Sequence, residues 1–277
     1  MALCRYGNHV RSWWGWLENG AVSPVSEESV RRTFQSPGPD GLNDIRNTES
    51  PTPISEVELL APIFPDHEIW AAGVTYESSK FARMAESPEG GDFYAKVYVA
   101  DRPELFFKGT PGRTVGPDGE VRIRKDSKWN VPEPELTVIA AATGQILGFT
   151  VGNDMSSRDI EGENPLYLPQ AKVYDGSCAL GPIIVPANSV DPANLIIQLR
   201  IHREGKLVHN AETNTSRMRR NVQELVDWLF RENAFPHGVV LLTGTGLIPP
   251  DEFTLAVDDV IEIEIEGIGV LRNVVNS

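Results

Sequence analysis

Cysteine is almost absent: Cys4 and Cys178 are the only two in 277 residues. They build neither a CxxC pair nor a disulfide framework, which fits a reducing, cytoplasmic setting. Lysine is scarce as well, with seven against eighteen arginines, and the formal charge is −14. That balance argues against nonspecific binding to nucleic acid or to an anionic membrane, which needs basic patches. An acid-rich, lysine-poor surface also suits a salt-adapted host. No run of about twenty apolar residues exists to span a bilayer. The opening Met1-Ala2-Leu3-Cys4-Arg5-Tyr6 has no apolar signal core and no cleavage pattern. Walker-type GxxxxGK[ST], a GxGxxG between strand and helix, HExxH and GxSxG are all missing. The histidines His9, His67, His202, His209 and His237 form no close pair.

What is present reads as many short strands with few helices. Ser12–Leu17 and Ala21–Val25 flank Glu18-Asn19-Gly20, a hairpin signal. Ser26 caps a short helix over 27–35. The tryptophans Trp13, Trp14 and Trp16 suit packing against a neighbouring domain or subunit better than ligand binding. Residues 36–52 are rich in Pro, Gly, Asp and Asn and read as a linker. A strand over 68–76 and a helix over 78–86 come next. Strand-like runs recur at 104–108, 121–124, 136–140, 146–151, 181–185, 195–203, 239–243 and 260–265. One amphipathic helix is expected over 216–232, with Met218, Val222, Leu225, Val226, Leu229 and Phe230 as a buried stripe. The expected fold is mixed α+β and predominantly β, a barrel or roll. Its expected division is a small N-terminal domain and linker (1–52) and a catalytic domain (53–277).

The chain is organised around Glu133-Pro134-Glu135, with Asp154 nineteen residues on. In extended backbone both glutamates point to one face, with Cβ atoms roughly 6.5–7 Å apart. Pro134 cannot donate to a ladder, so this end of the strand is an edge or a mouth. A turn at Ala142-Thr143-Gly144-Gln145 would return Asp154 beside the glutamates. Three carboxylates without sulfur or imidazole are hard ligands that favour Mg²⁺, Mn²⁺ or Ca²⁺ over zinc. Spacing alone leaves a solvated acidic strand end open as the alternative. Glu262, Glu264 and Glu266 share the spacing but alternate with isoleucines, as on a solvated strand face. Thr243-Gly244-Thr245-Gly246 is a turn whose N–H groups and hydroxyl suit a carboxylate or phosphate. Lys172 stands out as a rare lysine in the long connection after Asp154.

Together these stretches resemble the fumarylacetoacetate hydrolase family over about residues 57–273. The resemblance rests on Glu133-x-Glu135, Gly152-Asn153-Asp154-Met155-Ser156-Ser157-Arg158-Asp159, Lys172, Leu180-Gly181-Pro182, Thr243-Gly244-Thr245 and Gly267–Asn273. It implies a β-rich roll and a homodimer or higher homo-oligomer. It also implies a divalent cation, Mg²⁺ first with Mn²⁺ or Ca²⁺ behind it, on Glu133, Glu135 and Asp154. Lys172 would lie beside a bound oxo-acid.

One departure narrows the reading. Hydrolytic members carry Gly-x-Asn-Tyr-x-x-His, whose histidine activates water. Here the stretch is Gly73-Val74-Thr75-Tyr76-Glu77-Ser78-Ser79, and a serine at neutral pH is no substitute base. The sequence instead is similar to the branch that dehydrates 2-keto-3-deoxy sugar acids, through Arg102–Lys108, Val131–Leu136 and 161–172. The implied reaction converts a 2-keto-3-deoxy pentonate to 2,5-dioxopentanoate. Lys172 is then assigned to proton transfer or enolate stabilisation and Glu104 to protonating the departing hydroxyl, a division that can be reversed. Tyr76, Lys108 and Thr245 are assigned to substrate oxygens. The competing readings are an acylpyruvate-type hydrolase, an oxaloacetate-type decarboxylase, and a non-catalytic binder of metal or sugar acid.

Overall fold

Asn19 and Gly20 both take positive φ, 50° and 76°, and so close the hairpin of Ser12–Glu18 and Ala21–Val25 with the twist that flanking strands require. The computed structural model describes residues 1–7, 11–45, 51–86 and 91–277. His9, residues 46–50 of the expected linker and Pro88, Glu89 and Gly90 lie outside the described residues.

The chain begins with β1 (Ala2–Gly7), β2 (Ser12–Glu18) and β3 (Ala21–Val25), then α1 (Glu27–Gln35). Ser26 caps α1, its side chain accepting from the Ser29 N–H. Next come β4 (Thr52–Pro53), β5 (Glu58–Leu60), β6 (Glu68–Gly73), α2 (Glu77–Glu86) and α3 (Gly91–Val99). They are followed by β7 (Glu104–Gly109), β8 (Thr114–Val115), β9 (Glu120–Arg122) and β10 (Asn130–Val131). The central hairpin is β11 (Pro134–Ala140) and β12 (Ile146–Asp154), after which come β13 (Ser156–Ser157), α4 (Arg158–Glu163) and α5 (Leu168–Lys172). The remaining elements are β14 (Cys178–Pro186), β15 (Ile196–Arg203), β16 (Lys206–Asn214), α6 (Val222–Leu229), β17 (Val239–Leu242), β18 (Val260–Ile265) and β19 (Gly269–Asn276).

These elements make the expected mixed, mostly β architecture. A twelve-stranded sheet runs β4-β3-β2-β1-β14-β12-β11-β17-β6-β7, with β5 on β1 and β8 on β14. A five-stranded sheet runs β16-β15-β18-β19-β9. The central strands are apolar on both faces because each face has its own core. Leu136 and Val138 of β11 join a cluster with Leu199, Ile263 and Leu225. Ile139 of the same strand joins a second cluster with Trp14, Trp16 and Phe34. A strand covered on both sides reads as a continuous hydrophobic run, which is how 136–140 and 239–242 read.

The boundary expected after residue 52 falls inside a continuous sheet. β1 pairs with β14 through Leu3 and Ile184, and with β5 through Arg5 to Gly7. Trp14 and Trp16 are buried in the shared core, whereas Trp13 is half exposed. The helix expected over 216–232 is also shorter. Met218 is extended and bridges Tyr76, and Asn221 caps α6 by accepting from the Glu224 N–H. Periodicity carried the stripe through a segment whose backbone bonds are tertiary. Arg200 pairs with Glu262 and Glu264, so the second acidic strand is a partly neutralised, part-exposed face.

His67 carries a pH dependence for this fold. It is buried beside Phe34 and Phe64, its Nδ1 accepting from the Phe64 N–H and its Nε2 donating to the His237 carbonyl. Burial pushes the ring down from 6.5 to about 4, against opposing pulls from Asp66 and the His237 carbonyl. Above pH 6.5 the ring is neutral whether the chain is folded or not. Between 6.5 and 4 the unfolded chain takes up a proton that the folded protein refuses. Stability therefore falls through this window, by about 3 kcal/mol from this residue. Urea unfolding at pH 7 and pH 4.5 should show a smaller acid loss for His67→Gln than for wild type. Equal losses would remove His67 as the cause.

Candidate metal centre and its cavity

The hairpin of β11 and β12 builds the centre. Pro134 lies opposite Asn153 and Glu135 opposite Gly152, and the Asp154 N–H donates to the Glu133 carbonyl at 2.9 Å. Glu133, Glu135 and Asp154 thus meet as the period-two spacing and the turn require. β11 is not an edge: β12 and β17 flank it. The β17 pairing begins only at Thr137, so Pro134 sits at the mouth, where no donor is missed. All three carboxylates are buried, and one oxygen of each lies within 4.8 Å of the others.

Each carboxylate has one oxygen held by the protein. Glu133 Oε1 accepts from Arg83 Nη2 at 2.8 Å and lies 3.1 Å from Arg158 Nη2. Asp154 Oδ1 pairs with Lys108. Glu135 Oε2 accepts from the Gly244 N–H at 2.6 Å. The other oxygens of two of them meet a single ammonium: Lys172 Nζ is 2.8 Å from Glu133 Oε2 and 3.0 Å from Asp154 Oδ2, and it also donates to Ser156 Oγ. Lys172 ends α5, which turns it back under the centre. The Phe106 ring lies 5.8 Å from its Nζ.

The electrostatics follow from burial and count of charge. Burial opposes the Glu133 charge, but Lys172, Arg83 and Arg158 hold its carboxyl well below the usual range. Burial, then Asp154 and Glu133, push Glu135 well above that range, against weaker opposing pulls from Lys172 and the Gly244 N–H. Burial also opposes the Lys172 charge, yet Asp154 and Glu133 raise the ammonium above its ordinary value. Lys172, Arg83 and Arg158 thus neutralise Glu133, and Lys172 and Lys108 neutralise Asp154, which leaves Glu135 as the carboxylate of the three with no ion pair among the described residues. Glu133, Glu135 and Asp154 are a hard, all-oxygen donor set that would suit one divalent cation.

The cavity beside the centre is small, with a volume of about 20 Å³. Its lining includes Gly73, Ser79, Arg83, Glu104, Phe106, Glu161, Leu168 and Thr245 as well as the carboxylates and Lys172. Glu104 begins β7 opposite Gly73 of β6. A Cβ at residue 73 would lie 2.1 Å from Glu104 Oε2, so the glycine makes the space Glu104 occupies. Burial, reinforced by Glu161, pushes the Glu104 carboxyl up to about 7.

Of the three residues expected on substrate oxygens, only Thr245 lines the cavity. Its hydroxyl closes a turn, donating to the Leu247 carbonyl and accepting from the Leu247 N–H. Lys108 is fully buried beneath the centre, donating to the Met155 and Lys172 carbonyls as well as pairing with Asp154. Tyr76 is buried against Gly246 with no hydrogen-bond partner on its hydroxyl; burial, then Glu135, raises its phenol. Ser79 Oγ donates to the Tyr76 carbonyl and accepts from its N–H, so it is occupied as a turn residue. Thr75 Oγ1 is likewise committed, donating to the Thr243 carbonyl at 2.7 Å.

Sequence reasoning missed Arg83, and named Arg158 and Glu161 only as parts of longer stretches. Arg83 comes from α2, Glu161 and Arg158 from α4, and the connection expected after Asp154 is two short helices. Nothing local marks Arg83, because its partner Glu133 is fifty residues away.

The sequence profile of the fumarylacetoacetate (FAA) hydrolase C-terminal family matches residues 69–276. A Haloferax volcanii protein, a probable 2-keto-3-deoxyxylonate dehydratase, is 53% identical over 211 residues, covering 76% of this chain and 72% of its own. The 2-dehydro-3-deoxy-D-arabinonate dehydratase of Saccharolobus solfataricus is 43% identical over 254 residues, covering 90% and 79%. A solved 2-keto-3-deoxy-D-arabinonate dehydratase, complexed with magnesium and 2,5-dioxopentanoate, superposes with a TM-score of 0.85 at 35% identity. That match covers 100% of this chain and 99% of the other.

Proposed function

The chain belongs to the fumarylacetoacetate hydrolase family, and from that premise we propose that it dehydrates a 2-keto-3-deoxy pentonate to 2,5-dioxopentanoate with a divalent cation, Mg²⁺ first. The observation that carries this reading is one cavity holding the buried carboxylate trio, Lys172 on two of its oxygens, and Glu104. Glu133, Glu135 and Asp154 would hold the cation. When bound, it supplies Lewis acidity to the carboxylate and keto oxygens of a 2-oxo acid, which acidifies the C3 protons.

The chain's own groups then move the protons. Lys172 takes one from C3. It must first be neutral, and sharing Glu133 and Asp154 with a divalent cation lowers its hold on the ammonium proton. Glu104, with its carboxyl raised to about 7, is available to give a proton to the C4 hydroxyl, which leaves as water. The C3=C4 bond so formed isomerises as a C5 proton is lost and C3 is reprotonated. The resulting C4=C5 enol takes a proton at C4 and becomes the C5 aldehyde. Water is lost once and no redox partner is needed. Lys108 acts from below, fixing Asp154, and Ser79 has no free lone-pair role as a base.

Turnover of 2-keto-3-deoxyarabinonate and 2-keto-3-deoxyxylonate tests the reading, with Mg²⁺ and then with chelator, and with the aldehyde coupled to a dehydrogenase. Metal-dependent aldehyde formation is expected. No aldehyde, but pyruvate from acylpyruvate or from oxaloacetate run in parallel, would overturn it in favour of a hydrolase or a decarboxylase.

A further inference from the structure

Ser79 and Arg83 are four residues apart on α2, so they share one helix face, and both line the cavity. The Arg83 guanidinium meets Glu133, just ahead of β11, and Glu161 on α4. Its Nη2 donates to Glu133 Oε1 at 2.8 Å, and its Nη1 lies 2.9 Å from Glu161 Oε2. Both contacts are shielded from water: the side chains of Arg83, Glu133 and Glu161 are 9%, 4% and 4% exposed. Glu161 lies three residues after Arg158 on α4, and Arg158 Nη2 meets the same Glu133 Oε1 at 3.1 Å. Two helices thus converge on one oxygen of one carboxylate.

We infer that Arg83 is a positioning residue: its planar fork, spanning Glu161 and Glu133, ties α2 to α4 across the cavity and fixes the Glu133 carboxylate so that Oε2 faces the centre. The inference rests on the reading of Glu133, Glu135 and Asp154 as a cation site. A carboxylate has a soft terminal torsion, and burial alone does not fix the plane of the group. Arg83 fixes that plane by holding the outer oxygen, Oε1. Arg158 carries the same charge to the same oxygen but is not placed to bridge α2. A lysine at position 83 would keep the charge and lose the fixed separation of the two donors, which is what spans two carboxylates. Groups that orient a metal ligand from behind typically change metal affinity by about 10–100-fold when altered.

The test is calorimetric titration of Mg²⁺ into chelator-stripped full-length protein, for wild type, Arg83→Lys and Glu161→Gln, with metal-free melting temperatures alongside. Arg83→Lys should weaken Mg²⁺ by about 10-fold or more. Its metal-free melting temperature should change little, since its charge remains. Glu161→Gln keeps Arg83 but loosens the far end of the fork; it should weaken Mg²⁺ in the same direction and raise KM more than it lowers kcat. If Arg83→Lys does not fold, Glu161→Gln decides alone. Mg²⁺ affinities equal to wild type overturn the inference, as does a fall in melting temperature with affinity unchanged, which is all a structural tie would give. Wild-type protein that takes up no Mg²⁺ removes the reading of the site itself, and this inference with it. Binding without aldehyde formation removes only the proposed reaction.

Discussion

Lys172→Met should lower turnover by about 10²–10⁴-fold, the span of a lost general acid–base group, and at the same time bind Mg²⁺ more tightly than wild type. The two effects have one origin. Lys172 Nζ sits on Glu133 Oε2 and Asp154 Oδ2, at 2.8 and 3.0 Å, so the ammonium and a cation call on the same oxygens. Methionine has similar length and no charge, and it leaves those oxygens to the metal. Without metal the variant has two buried carboxylates that have each lost one counter-charge, with Arg83 and Arg158 still on Glu133 and Lys108 still on Asp154, so its metal-free form is destabilised by less than the about 3–5 kcal/mol of a fully broken buried pair. Its melting temperature should therefore depend on Mg²⁺ more steeply than wild type's. Initial rates with the coupled dehydrogenase, calorimetry and melting curves read the three effects separately. Near wild-type turnover would remove Lys172 from the proton transfer. Weaker Mg²⁺ binding would mean that lysine and cation do not compete.

Gly244→Ala has the second large effect, and it falls on the fold and the site together. Gly244 has φ +95°, in the left-handed region, and its N–H holds Glu135 Oε2. A Cβ there would lie 1.9 Å from Thr75 Oγ1 and 3.0 Å from the Ala72 carbonyl. Thr75 cannot swing away cheaply, because it is buried and its hydroxyl is donated to the Thr243 carbonyl. Backbone strain and overpacking together predict a loss of roughly 2–5 kcal/mol. The displaced N–H also releases Glu135, so Mg²⁺ affinity should fall with stability. Denaturant unfolding and Mg²⁺ titration check both. Adding Thr75→Ala should recover part of the stability but not the affinity, since the strained φ remains. A Gly244→Ala protein as stable as wild type would show that the turn accommodates a side chain by moving, and would refute the close approach as its constraint.

The reach of local rules is visible at particular residues. Glu133 and Glu135 share a face because extended backbone alternates, and Asp154 returns to them because a hairpin with a short turn has little choice of register. The Asn19-Gly20 turn and the Ser26 cap are equally local: each depends on a few neighbouring dihedrals. The helical stripe ending in Leu229 was also legible, but its start was not. Met218 has the spacing of a helix and is held extended by Tyr76, a contact no periodicity encodes.

The sequence by itself determined the alternation that gathers three carboxylates, the missing histidine at Ser79, the scarcity of lysine that made Lys172 conspicuous, and the strand-rich pattern of the fold. These follow from side-chain chemistry and from geometry within a few residues of chain. Tertiary structure alone decided which of the polar residues face the cavity. It sent Lys108 beneath Asp154, closed Tyr76 against Gly246, brought Arg83 and Glu161 together over Glu133, and continued the main sheet into β1 through β3. The reason is physical. A buried charge is placed by whatever opposite charge the packed helices and sheets bring within hydrogen-bonding distance, and that partner is set by the whole fold.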